Sequence, residues 1–169
     1  MLGCFICVNW TGGPGRGEGS EPPPPGPESG TPLHCAPRRS REAKSVNQTL
    51  AIALGGAVGA VLRFWSSQGV YALLGRNFPY GTLAVNLLGS ALMGLLYVLL
   101  VERLAPDGVW RAFFLVGLLG AYTTFSTFSM ETLQLLMGGE MAKALSNVIA
   151  SVILCLAGAW AGVLVGRSL

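Results

Sequence analysis

Charged residues are scarce in this chain of 169 residues, since Asp, Glu, Lys and Arg together make up only 11% of it. Soluble domains carry about a quarter. Acidic residues number eight, and there is one histidine, whereas hydrophobic residues reach 51%. These proportions exclude an ordinary soluble domain and predict a membrane protein. The basic residues form no face interleaved with aromatic side chains, which argues against nucleic-acid binding.

Cysteine is also sparse, with four residues in the whole chain. Cys4 and Cys7 form a lone CxxC with no second pair at metal-binding spacing, which argues against a zinc site. Cys155 lies in an apolar stretch and is interpreted as a small packing residue. The pattern predicts no disulfide framework.

Glycine and proline, in contrast, are concentrated near the start of the chain. Between Thr11 and Pro37, 15 of 27 residues are Gly or Pro. Such a segment cannot bury enough apolar surface to fold, so we expect residues 1–45 to form a disordered tail. The first ten residues lack the basic region of a signal peptide. Because Val46 precedes the first hydrophobic stretch, and some bacterial start codons otherwise encode Val, we expect the tail to be a start-site artefact.

Four hydrophobic segments follow, at about residues 50–74, 81–101, 110–137 and 145–166. Each reaches the roughly 20 residues that a helix needs to cross a membrane. The sequence therefore predicts an all-α membrane protein with four transmembrane helices, residues 46–169 forming one domain. An even number of spans places both termini on the same side.

The loop charges are nearly balanced between the two sides of the membrane. The side that holds the termini has Arg103, Arg111 and Arg167, and the other side has Arg76 and Lys143. Three against two gives almost no positive-inside bias, which predicts insertion in both orientations. The tail would add four basic residues to the terminal side and would hold the termini in the cytoplasm. A functional tail therefore conflicts with insertion in both orientations.

The third hydrophobic segment contains an unusual run of polar side chains. They are Thr123, Thr124, Ser126, Thr127, Ser129 and Glu131. Hydrocarbon penalises polar groups that lack partners, so this run predicts a protein interior or a water-filled path. Phe125 and Phe128 share a helical face within it. The positive edges of their rings would stabilise a desolvated anion, although lipid or core contact is the usual role of such a pair.

Glycines precede the polar run and predict an interruption of this helix. Gly117 and Gly120 lie just before Thr123 and Thr124. A break there would free backbone carbonyls, and a buried cation is one way to satisfy them at membrane depth.

Polar residues also recur every four positions in the second and fourth segments, which places each set on one helical face. The sets are Thr82, Asn86 and Ser90, and then Asn147, Ser151 and Cys155. Either set fits an ion route or interhelical hydrogen bonds that hold the bundle together.

Two charged side chains lie within the hydrophobic segments. Arg63 would cost about 2.5–3.5 kcal/mol at a helix centre, so it either extends to the interface or forms an electropositive vestibule for anions. Glu131 is the acidic residue placed well inside a segment. It either pairs with Arg63 or lies on a polar track.

Three motifs together resemble the CrcB/Fluc family of small fluoride channels. They are GGAVGAVLRF at residues 55–64, GTLAVNLLGS at residues 81–90 and GLLGAYTTFSTFSMET at residues 117–132. They occur in the family's order, and the resemblance extends over about residues 50–169.

The resemblance implies a passive channel that exports fluoride across the bacterial cell membrane and performs no chemistry. Members form antiparallel dual-topology homodimers, surrounded by lipid, with a broken third helix and two ion pathways along the subunit interface. The resemblance implies that the carbonyls of Gly120 and Thr123 hold a structural sodium ion that is not transported, and that Arg63 lies in the vestibule. It assigns to the fluoride pathway Phe125, Phe128, Asn86, Thr82, Ser126, Thr127, Glu131 and Ser151.

Two other functions remain as alternatives. A small multidrug-type transporter also has four helices, but it needs a carboxylate in the first span, where this chain has Arg63 and no acid. The other alternative is a structural membrane subunit that transports nothing and whose polar stripes only hold helices together.

Overall fold

A computed structural model describes the backbone of residues 38–104 and 107–169, and side chains from residue 45 onward. The predicted disordered tail therefore lies mostly outside the described residues. The first helix begins at Arg38, ahead of the expected boundary at Val46. The sequence from residue 38 to 45 lacks Gly and Pro and is rich in Arg, Glu, Ala and Lys, which are good helix formers.

The described residues fold into helices joined by short connections. In chain order these are α1 (Arg38–Leu74), α2 (Tyr80–Tyr97) with a π-helical continuation (Val98–Arg103), α3 (Gly108–Arg111) with a π-helical continuation (Ala112–Leu119), α4 (Gly120–Tyr122), α5 (Phe125–Met137) and α6 (Met141–Ser168). The wider π turns were not predicted, because hydrophobic periodicity in the sequence does not distinguish them from α turns.

In the part of the chain that the structure describes, four helical stretches are long and apolar enough to cross a membrane. We call them the first span (Ser45–Leu74), the second span (Tyr80–Arg103), the third span (Gly108–Met137) and the fourth span (Met141–Ser168), with 24 to 30 residues each. Within the described residues, which form helices and no strand, they confirm the prediction of an all-helical fold with four segments able to span a membrane.

Glycines bring the second and fourth spans into backbone contact. A Cβ atom at Gly162 would overlap the carbonyl of Ala91, and one at Gly94 would overlap the carbonyl of Ala159. Without side chains at these positions the helices approach closely, as small residues allow in lipid. The first and third spans approach each other in the same way, since a Cβ at Gly59 would overlap the backbone of Leu118. The two close pairs fix where the polar residues of each span lie.

The connections that follow α1 and α5 depend on glycine. Gly75 and Gly139 have φ angles of 78° and 76°, which side chains other than glycine rarely adopt. After α5, the amide of Glu140 donates to the carbonyl of Leu135 at 2.9 Å, and the amide of Gly139 donates to Leu136 at 3.0 Å. This is the Schellman arrangement that ends a helix and reverses the chain direction.

Candidate functional site

The third span changes conformation at Thr123 and Thr124. Thr123 has φ and ψ of −79° and 156°, and Thr124 has −149° and 112°, so both are extended. Helix α5 restarts at Phe125, with Thr124 as its N-cap. The Thr124 hydroxyl accepts from the Thr127 amide at 3.3 Å and donates to the Thr127 hydroxyl at 2.9 Å. A threonine at this position satisfies one of the amides that begin the new helix.

Asn86 of the second span holds the extended segment in place. Its amide nitrogen donates to the carbonyl of Thr124 at 3.0 Å, and its amide oxygen accepts from the backbone N–H of Thr124 at 2.8 Å. One side chain thus satisfies both backbone groups of a residue that has left the helix. Backbone groups at membrane depth need such partners because water is absent.

These hydrogen bonds free two carbonyls that lie just before the new helix. In a continuous α-helix the N–H of Thr124 would donate to Gly120, and that of Thr127 would donate to Thr123. Here the first donates to Asn86 and the second to the hydroxyl of Thr124. The carbonyls of Gly120 and Thr123 therefore lose their helical donors, and Gly120 lies on the exposed surface.

An open cleft of about 480 Å³ lies beside the extended segment. Phe125 and Phe128 line it with their ring centroids 5.5 Å apart and their planes at 42°. Five predicted site residues meet in this cleft, namely Asn86, Thr123, Phe125, Phe128 and Ser151. The cleft also exposes Ser90 and Cys155, members of the two predicted polar stripes. Amide, hydroxyl and aromatic groups thus converge on one space.

A smaller cavity of about 170 Å³ lies next to Thr124 and contains Arg63. Thr82 and Thr127 line it as well, so three further predicted residues are brought together. Thr124 lines both this cavity and the larger cleft. The Asn86–Thr124 pair therefore lies at the boundary between the arginine and the two phenylalanines.

Glu131 lies apart from both of these spaces, in a third cleft of about 380 Å³ near the α1–α2 and α5–α6 connections. Its Oε1 atom accepts a hydrogen bond from the hydroxyl of Tyr71 at 2.9 Å. The Arg63–Glu131 ion pair, one of the two roles that the sequence left open for Glu131, is not formed. Tyr71 was missed because an aromatic residue near a span end usually marks the membrane interface.

Two predicted residues lie outside the three clefts. Gly120 and Ser126 are exposed on the surface of the single chain, and the Ser126 hydroxyl is 3.3 Å from that of Thr124.

The fourth-span stripe divides between two roles. Asn147 is 1% exposed and donates to the hydroxyl of Thr132 at 2.8 Å, so it joins two helices, whereas Ser151 lines the phenylalanine cleft.

The family of this chain is evident from comparison with known proteins. The family model "CrcB-like protein, Camphor Resistance (CrcB)" matches residues 50–163. The chain belongs to the CrcB-like family. The match lies within the four-span part of the chain and includes every predicted site residue.

Several bacterial relatives in this family carry the name "Fluoride-specific ion channel FluC". The chain is 57% identical over 119 residues to the protein of Methylococcus capsulatus, covering 70% of this chain and 52% of that relative. It is 55% identical over 116 residues to the protein of Magnetococcus marinus, covering 69% of this chain and 94% of the relative. It is 50% identical over 121 residues to the protein of Coxiella burnetii, covering 71% and 98%. The chain thus spans about half of the first relative and nearly all of the other two. With four membrane-spanning helices, this CrcB-like chain is a multi-pass membrane protein of bacterial type.

Proposed function

We propose that this chain is a fluoride-specific ion channel that lets cytoplasmic fluoride leave the cell by passive flux. The observation that carries the proposal is the cleft in which the Asn86 amide, the hydroxyls of Thr123 and Ser151, and the rings of Phe125 and Phe128 meet. The names of the bacterial relatives agree with it. A channel of this kind lowers intracellular fluoride and needs no chemistry on a substrate.

The groups in the cleft suit a small anion that has lost water. Aromatic rings have positive edges, so the Phe125 and Phe128 rings attract an anion that approaches edge-on. The Asn86 amide has two hydrogens, and one of them is used on the Thr124 carbonyl. The second is free for the anion. Ser151 is 8% exposed and adds a hydroxyl donor from the fourth span.

Arg63 gives its cavity a positive charge. We assign to it the role of a vestibule that concentrates anions before they reach the cleft, since a charge in a recess raises the local concentration of opposite charges. Thr82 and Thr127 line the same cavity, and their hydroxyls would hand the anion onward. Ser126 and Glu131 complete the proposed pathway along α5.

We propose that the channel is an antiparallel homodimer. Phe125 is 79% exposed in the single chain, and the cleft beside it is open. A second copy laid against this face would turn the open cleft into a closed pathway, with two pathways in each dimer. The nearly even loop charges allow both insertion orientations that such a dimer needs. Lipid of the cell membrane would cover the remaining apolar surface.

We further propose that the broken third helix holds a structural sodium ion. The carbonyls of Gly120 and Thr123 have lost their helical donors, and unwound backbone carbonyls are typical sodium ligands in membrane proteins. The exposed position of Gly120 allows a second copy to supply the same two carbonyls. The ion would offset the repulsion among the carbonyl dipoles and would not be transported.

Flux from liposomes tests the proposed function. Purified protein is reconstituted with fluoride or chloride inside, and the efflux of each anion is followed with ion-selective electrodes. We expect fluoride to leave rapidly and chloride to stay. Equal rates for the two anions would contradict selectivity. Proton-coupled export of an organic cation would favour the multidrug-type alternative, and no transport at all would favour a structural subunit.

A further inference from the structure

Tyr71, near the end of α1, is held by two neighbours. The ring of Tyr71 packs against Gly81 at the start of α2. A Cβ atom on Gly81 would lie 2.5 Å from the ring, so the ring fits there because residue 81 has no side chain. The guanidinium carbon of Arg76 lies 5.4 Å from the centre of the same ring, which is a cation–π distance. The phenol therefore has a defined position.

The hydroxyl of Tyr71 points to a carboxylate on a different span. It donates to Oε1 of Glu131 at 2.9 Å, across 60 positions of the sequence. The other carboxylate oxygen, Oε2, is buried and has no hydrogen-bond partner within the described part of the chain. A single hydrogen bond thus orients this acid, although a carboxylate can accept several.

Glu131 lies on α5 about one turn after Phe128, toward the C-terminal end of the helix. In the pathway proposed above, which includes Glu131, an anion that moves from the two phenylalanines toward the C-terminal end of α5 passes this negative charge. Two like charges repel more strongly at short distance and in surroundings with little water. The direction in which the carboxylate points is therefore decisive for the anion.

We propose that Tyr71 is a positioning residue for conduction, whose hydroxyl tethers the Glu131 carboxylate to the side of the anion's path. The proposal rests on the proposed function. Without the hydroxyl, the carboxylate rotates freely and repels fluoride at this end of the pathway. Tyr71 itself need not touch the anion.

The test compares Tyr71→Phe, which keeps the ring in its space beside Gly81, with Tyr80→Phe as a control. Tyr80 is a tyrosine at the same end of the bundle whose ring packs on Phe78 at 4.9 Å. We expect Tyr71→Phe to lower fluoride efflux roughly ten- to hundredfold, the size that follows from losing one hydrogen bond to a charged group. We expect Tyr80→Phe to conduct like the wild type.

Making the Tyr71→Phe substitution in a Glu131→Gln protein as well as in the wild type separates tethering from general loosening of the bundle. Glu131→Gln removes the charge, so adding Tyr71→Phe to it should change the efflux by less than about twofold, because the neutral amide does not repel the anion. A merely structural role of Tyr71 would lower the efflux equally in both backgrounds and would overturn the proposal. Wild-type efflux in Tyr71→Phe would overturn it too.

Infrared spectroscopy gives a readout that does not depend on conduction. The carboxyl band of Glu131 is identified as the band lost in Glu131→Gln. We expect that band to shift in Tyr71→Phe and to stay in place in Tyr80→Phe. If the band does not shift in Tyr71→Phe while the wild-type protein conducts fluoride, the tether is refuted and the proposed function stands. If the band shifts in Tyr71→Phe while the wild-type protein conducts no fluoride, the tether exists and the proposed function is refuted.

Discussion

Replacing Asn86 by alanine removes both hydrogen bonds that hold the extended segment of the third span. The N–H and carbonyl of Thr124 lose their partners at 2.8 Å and 3.0 Å. Water does not reach this depth freely, so the groups stay unsatisfied or the segment rewinds. Rewinding would return the N–H of Thr124 to the carbonyl of Gly120. Both outcomes damage the cleft.

The expected loss of stability follows from the two bonds. A buried polar group left without a partner costs about 1–3 kcal/mol, which gives roughly 2–6 kcal/mol for the pair. The mean of about 0.6 kcal/mol for hydrogen bonds between membrane helices would give only about 1 kcal/mol. We expect the larger value because the groups left without partners are backbone groups of Thr124, which has left the helix and so has no helical partner for them.

The assay measures both unfolding in detergent and fluoride efflux per folded protein. Asn147→Ala serves as a matched control, since Asn147 is 1% exposed and joins two helices through its bond to Thr132. We expect that control to lose roughly 1–2 kcal/mol and to keep its efflux. Asn86→Ala should lose more stability and nearly all of its efflux.

Two results would refute this reasoning. Wild-type stability in Asn86→Ala would show that the two hydrogen bonds contribute nothing net to the fold. Normal efflux in a destabilised Asn86→Ala protein would show that the extended segment is not part of the conducting path. A loss of efflux in Asn147→Ala of the same size would mean that any weakening of the bundle stops conduction.

Three further tests address the phenylalanine rings, the close packing of the helices and the arginine. Phe125→Ala or Phe128→Ala should lower fluoride efflux roughly two- to tenfold in folded protein, and unchanged efflux would mean that the rings only pack. Gly162→Val should lower the free energy of unfolding in detergent by roughly 1–3 kcal/mol, because its side chain overlaps Ala91. Gly56→Val has open space around its Cβ atom and should not lower it. Equal effects of the two substitutions would contradict the close packing. Arg63→Gln should lower efflux more at low than at high salt, because salt screens the attraction of anions, and a loss independent of salt would exclude a vestibule role.

Much of the site was predictable because its residues are local in sequence. The polar run in the third span, with Phe125 and Phe128 on one face, is visible without a structure, and the glycines before it indicate where the helix changes. Thr124 lies in that run, yet its roles as N-cap and as partner of Asn86 depend on distance in space. Asn86 and Thr124 are 38 positions apart, and no spacing rule connects them.

The separation of the site into three spaces was not predictable. Sequence spacing put Thr82 and Asn86 on one face, and the structure places Thr82 with Arg63 and Asn86 with the phenylalanines. Opposite charge left Arg63 as one possible partner for Glu131, and Tyr71 takes that place. A helical face spans several neighbours, so small rotations of a helix decide which neighbour each residue meets.

The sequence by itself determined four segments that are able to cross a membrane, because a helix that spans hydrocarbon needs about 20 apolar residues and bonds its own backbone groups. It also determined where the polar groups lie along each span. The tertiary structure alone decided which of those groups meet. Contacts at Gly59, Gly94 and Gly162 set the height and rotation of each span, and these bring Asn86 to Thr124 and Tyr71 to Glu131. Hydrogen bonds act over about 3 Å, so such pairings follow from packing and cannot be read from the order of residues.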